Sequence, residues 1–217
     1  MARERAADYD QKRQAILDTA ATLIASNSYD RTSMSSIAEA CNVSKSLLYY
    51  YYQDKDTILF DIIGGHLDHL IEISEDAAKL PLSPEGRLQT MVRRLLESYR
   101  YSAPKHQSLI SSLLLLPKKQ QERLRDKERR ISRAFADAIR EACPRLERHP
   151  EFVAPVTMSL LTMLNWQYMW FKDEGPVDRD QYAAMATEMI ISGVENLDPA
   201  AKDMAALKTE MSPDKVA

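Results

Sequence analysis

Glycine is scarce, with five residues in 217: Gly64, Gly65, Gly86, Gly175 and Gly193. A hairpin-rich β protein and a glycine-rich phosphate loop both demand more. Cysteine is scarcer still. Cys41 and Cys143 lie far apart, without partners at metal-ligand spacing, which excludes a disulfide framework and a cysteine zinc site. The first residues, Met1-Ala-Arg-Glu-Arg, are charged with no apolar run behind them, so a secretion signal is not expected and a reducing cytoplasm is. Basic excess is missing too. The formal net charge is −3, so any hold on nucleic acid must come from local geometry. Long apolar runs reduce to one uncharged stretch, residues 152–171, which is about the length of a bilayer span. It contains Pro155, Thr157, Ser159, Thr162, Asn165 and Gln167, with both tryptophans crowded at one end. That composition suits the centre of a bundle or a subunit interface, so no membrane segment is expected.

Present instead is a 45% hydrophobic, 28% charged chain with an almost continuous helical period. The spacing predicts helices from Asp10 to Ser26, around Met34–Ala38, from Ser44, from Asp54 to Lys79 and from Arg87 to Tyr101. Further helices are expected between Pro104 and Pro117, over 118–142, over 152–171 and over 181–196. The expected fold is all-α, with about nine helices. A small N-terminal unit (1–56) precedes a larger one (57–198) and a polar tail (199–217).

The stretch V-S-K-S-L-L-Y-Y-Y-Y-Q-D-K, residues 43–55, carries the first functional signal. Thr32-Ser33 and Ser44 are helix N-caps, and Cys41-Asn42-Val43 is a tight turn in which Asn42 best tolerates a left-handed backbone. Two short helices joined by such a turn describe a helix-turn-helix. Leu48 and Tyr52, at i and i+4, face inward. That leaves Ser44, Lys45, Ser46, Leu47, Tyr49, Tyr50 and Tyr51 outward, with more aromatic surface than a solvated helix needs. Tyrosine hydroxyls donate to phosphate oxygens, and Leu47 can meet a thymine methyl in the major groove. Ser33 and Lys55, each at a helix start, offer donors to the same backbone.

Residues 13–59 resemble the DNA-binding domain of the TetR family of transcriptional repressors through Ile37-Ala38, Val43-Ser44-Lys45, Leu48-Tyr49 and Lys55. The resemblance implies a helical homodimer whose N-terminal domains grip operator DNA and whose larger domains bind an inducer. Family positions usually occupied by glycine hold Ser28, Asn42 and Ser46 here. Tyr52 stands for a usual Phe, and Leu47 for a frequent Thr. Residues 1–60 hold seven basic against eight acidic side chains, so specificity is expected from a dimer reading two half-sites of a palindrome about 34 Å apart.

In the larger unit, Met91, Leu95, Tyr99, Leu113, Phe135, Trp166 and Met169 provide a methionine- and aromatic-rich lining for an apolar ligand, and Asn165 is expected among the ligand contacts. An ordinary core has the same composition. Residues 118–133 carry eight basic and three acidic side chains, a solvated face or a phosphate-recognising rim in which Arg130 and Arg133 take part. The run 163–182 resembles TetR-type regulators of fatty-acid, steroid and aromatic-acid catabolism, which implies an acyl-CoA effector such as phenylacetyl-CoA. It also implies a four-helix dimer interface through Leu160, Leu164, Met185 and Met189. A hydrophobic drug-like or free-acid ligand is the alternative. Gly64-Gly65 inside a long helix is either a hinge or a close-packing point. His66 and His69, with Glu72 a turn on, form a possible metal face for an enzyme, but surface histidines fit the pattern better. No cofactor, metal or catalytic group is expected.

Overall fold

The computed structural model describes residues 2–197, with side chains from residue 7 onward, and the expected polar tail lies outside them. Among the described residues every regular element is helical. The order is α1 (Ala2–Asn27), α2 (Met34–Ala40), α3 (Lys45–Tyr51), α4 (Lys55–Ala78), α5 (Pro84–Tyr101), α6 (Ala103–Ser112), α7 (Lys118–Ala142), α8 (Val153–Asn165) and α9 (Arg179–Glu195).

Local chemistry sets the boundaries. Ser33, Ser44, Asp54, Ser83 and Asp178 each cap a helix with a side-chain oxygen that accepts a first-turn N–H. Ser83 followed by Pro84 starts α5 earlier than its apolar stripe predicts. Helix α1 likewise starts well before Asp10. It ends at Ser28, which takes a left-handed φ of 72°, and the turn before α3 uses Asn42 at φ 54°. Both are places where glycine is the low-strain residue, and both are family glycine positions filled otherwise here.

Residues 152–171 do not form one helix. Helix α8 stops at Asn165 and a single tighter turn, Gln167–Met169, follows. Among the described residues no helix is long and apolar enough to cross a membrane.

Helix α4 is the axis of the molecule, packing on α1, α5, α6 and α7. Helix α7 packs on α8, α5 on α9, and α6 returns to α1. One continuous core therefore runs from Ile16 in α1 to Val194 in α9. Glycine is not sterically needed in α4: a methyl at position 64 would sit 3.7 Å from Leu124, and one at 65 would meet nothing within 4 Å.

Candidate functional site

Helix α3 presents the first surface. Leu48 is fully buried and Tyr52 nearly so, as the i, i+4 pattern requires. Ser44, Lys45, Ser46 and Leu47 are exposed, and Tyr49 and Tyr50 are 53% and 71% exposed. Tyr51 differs from expectation. Its ring stacks on Tyr9 of α1 at 4.7 Å, so it fastens α3 to α1 rather than standing free. Ser33 is exposed, and its hydroxyl accepts the Ser36 N–H within a capping box. Lys55 turns inward. Its ammonium lies 4.2 Å from the Tyr29 ring centre and donates to the carbonyls of Tyr29 (3.2 Å) and Thr32 (3.3 Å), which ties the start of α4 to the turn after α1. Tyr29 in turn donates to Asp56, and Arg13 pairs with Asp61.

The second feature is a cavity of about 360 Å³ among α4, α5, α6, α7 and α8. Leu67, Leu70, Leu109, Ile131, Met158 and Leu161 make its apolar wall. Tyr99, Ser132 and Asn165 add polar points, while Arg125, Glu128 and Arg129 line it from α7. Burial raises the Glu128 carboxyl above its ordinary range, against the opposing pull of Arg125 and Arg129.

Of the residues predicted for ligand contact, Tyr99 and Asn165 line this cavity. Met91, Leu95, Leu113 and Phe135 do not: they are packed into the protein core, with Leu95 and Phe135 fully buried. Arg130 and Arg133 point elsewhere, into a groove between α4, α5 and α7, where Arg130 makes a two-pronged bond to Glu75 (2.5 and 2.9 Å). At 100° per residue, 125, 129 and 132 share one side of α7, whereas 130, 133 and 137 share another. Trp166 and Met169 are exposed beyond the end of α8, at 51% and 64%.

The four residues predicted for subunit contact divide in the same way. Leu160 and Leu164 are fully buried inside the protomer, because α8 turns its 153, 157, 160, 161 and 164 edge inward. Met185 and Met189 on α9 are exposed. So is an uncharged strip of α8 made by Ala154, Pro155, Met158, Ser159 and Thr162.

Sequence reasoning missed a buried polar cluster behind the cavity. His66, expected at the surface, is 3% exposed and faces His106 with ring nitrogens 3.4 Å apart. His106 Nε2 lies 3.1 Å from the Asn165 carbonyl, which can only accept, so this nitrogen carries the proton. Nδ1 is then the acceptor, and His66 Nε2–H donates to it. Burial, reinforced by the neighbouring His106, holds the His66 pKa down to about 3. Burial likewise lowers His106 to about 4, partly offset by the Asn165 bond. Both rings are neutral. No local periodicity marks His106; it is brought to His66 only by the packing of α6 on α4. Among the described residues no group of three or more His, Cys, Asp or Glu side chains could hold a metal ion.

A capped helix-turn-helix on a helical body with a partly open cavity is the architecture of a helix-turn-helix transcriptional regulator. Residues 16–62 match the family described as "Bacterial regulatory proteins, tetR family", and residues 81–194 match "Tetracyclin repressor-like, C-terminal domain". The chain belongs to the TetR family of DNA-binding transcriptional regulators. It is similar to a TetR-family regulator from Bordetella parapertussis, with a TM-score of 0.75 and 31% identity over 87% of this chain and 98% of that one. It is also similar to AibR, solved in complex with isovaleryl coenzyme A and operator DNA, with a TM-score of 0.71 and 27% identity over 83% and 98%. The HTH-type transcriptional repressor KstR2 of Mycolicibacterium smegmatis is 20% identical over 187 residues, 84% of this chain and 90% of that protein.

Proposed function

We propose that this protein is a transcriptional repressor that binds a palindromic operator as a homodimer and is released by an acyl-coenzyme A ester. The observation that carries the effector class is the two-part cavity. Six aliphatic and thioether side chains line an apolar, partly open volume, and Arg125 and Arg129 stand on its α7 wall where an anionic head would leave it. A purely apolar drug gains nothing from that pair of guanidinium groups, whereas a phosphate-bearing thioester uses both ends. The likeness to AibR, whose solved complex contains isovaleryl coenzyme A and operator DNA, supports the same reading.

On the DNA side, the exposed Lys45, Ser46, Leu47, Tyr49 and Tyr50 form the face that enters the major groove, with Ser33 and Ser44 at its edge. The dimer forms through the uncharged strip of α8 together with Met185 and Met189. Calorimetry with fatty acyl-CoA, phenylacetyl-CoA and the matching free acids tests the effector. Thioesters are expected to bind and to reverse a gel shift on the palindrome. Failure of every thioester to bind overturns the effector class, and equal affinity for one half-site and the full palindrome overturns the dimeric reading.

A further inference from the structure

Asn165 is held in one orientation by the groups around it. It is the last residue of α8, and its side-chain Oδ1 accepts a 2.6 Å bond from the Tyr99 hydroxyl. Burial raises the Tyr99 phenol far above its usual range, so that hydroxyl keeps its proton and remains a donor. Tyr99 is itself clamped, stacked on the His106 ring at 3.7 Å, while His106 donates to the Asn165 main-chain carbonyl. With Oδ1 committed to Tyr99, the amide must turn its Nδ2 away from it. Among the described residues no hydrogen bond engages Nδ2, and Asn165 lines the cavity. The wall therefore offers an apolar ligand a pair of N–H donors held by a second layer of side chains.

We propose that Asn165 is the specificity residue that reads the carbonyl oxygen of the effector, selecting acyl thioesters over ligands with the same chain and head but no carbonyl. The inference rests on the acyl-coenzyme A reading above and adds the residue that recognises its functional group. A carbonyl oxygen carried among methylene groups satisfies the Nδ2 donor. An alkyl thioether desolvates that donor and leaves it unmatched. Sites built around a buried hydrogen-bond donor discriminate strongly against ligands that lack the acceptor.

The test compares octanoyl-CoA with S-octyl-CoA, the thioether without the carbonyl, by calorimetry on the full-length protein. Wild type is expected to prefer the thioester by about tenfold or more. Asn165→Leu is expected to bind the two ligands with similar affinity, losing thioester affinity rather than thioether affinity. Asn165→Asp keeps an acceptor for Tyr99 but replaces the N–H donors with a carboxylate oxygen that repels a carbonyl, so it is expected to lose the preference even if the leucine variant folds poorly. Equal affinities in wild type, or an undiminished preference in Asn165→Asp, overturn the assignment while leaving the thioester reading intact. Binding of neither ligand overturns both.

Discussion

Four consecutive tyrosines have three separate physical fates. Tyr52 is core, Tyr51 stacks on Tyr9, and Tyr49 and Tyr50 remain at the surface. Removing one hydroxyl at a time therefore has unequal consequences. Tyr49→Phe or Tyr50→Phe is expected to weaken operator binding by about tenfold, the scale of a hydrogen bond to a charged oxygen. Tyr51→Phe keeps the stacked ring and is expected to leave the gel shift unchanged. The inward pair Leu48 and Tyr52 was legible in the sequence because a helix repeats its own faces. The Tyr51–Tyr9 contact was not, because it joins residues more than forty positions apart and nothing in the period of α3 encodes it. Asn42 was legible for a different reason: its short amide side chain tolerates the left-handed turn that the helix-turn-helix needs there.

Helices were legible wherever a cap and a stripe coincided, as at Asp54 and Ser44. They were misread where one signal was absent. The uncharged run after Phe152 has no charge or glycine, and no proline beyond Pro155, so its α-helix could not be ended at Asn165 from the sequence pattern alone. The charge surplus of α7 was equally plain, but a stripe of arginines does not say which side of the helix meets a cavity. Arg130 faces Glu75 across an outer groove, and Arg125 and Arg129 take the place expected of it.

Helix α4 spans the two units, since it begins just after the helix-turn-helix and supplies Leu67 and Leu70 to the cavity. A methyl fits at both glycines of this helix, so close packing does not require glycine there, and the hinge reading has a direct test. Gly64→Ala with Gly65→Ala is expected to stabilise the protein by about 1 kcal/mol per site. The double variant is also expected to raise the acyl-CoA concentration needed for half-release of operator DNA severalfold. Thermal unfolding and a gel-shift titration measure the two effects; higher stability with unchanged release would remove the hinge.

At the scale of the whole molecule, the His66–His106 pair links stability to pH. In the unfolded chain both imidazoles protonate below about pH 6.5, whereas in the folded protein they stay neutral to about 3 and 4. The unfolded state therefore binds more protons through that window, and stability falls as pH falls. Lowering the pH from 7 to 5 is expected to cost about 2 kcal/mol per imidazole. Urea unfolding at the two pH values reads this directly, and a His66→Gln/His106→Gln variant should show a much flatter dependence. An equally steep slope in that variant would place its origin elsewhere. Nothing in the linear chain pointed to this pair, because its members come from α4 and α6 and meet only when these two helices pack on each other.

Trp166 and Trp170 are the only two indoles in the chain, and each lies about half uncovered just past α8. Trp166 directly follows the carbonyl-reading Asn165, and Trp170 packs edge-on against Tyr182 of α9, the helix that carries Met185 and Met189. The protein thus carries a built-in optical gauge. Its emission maximum should move toward the blue as dilute protomers are concentrated, and it should move again, by a different amount, when a thioester enters.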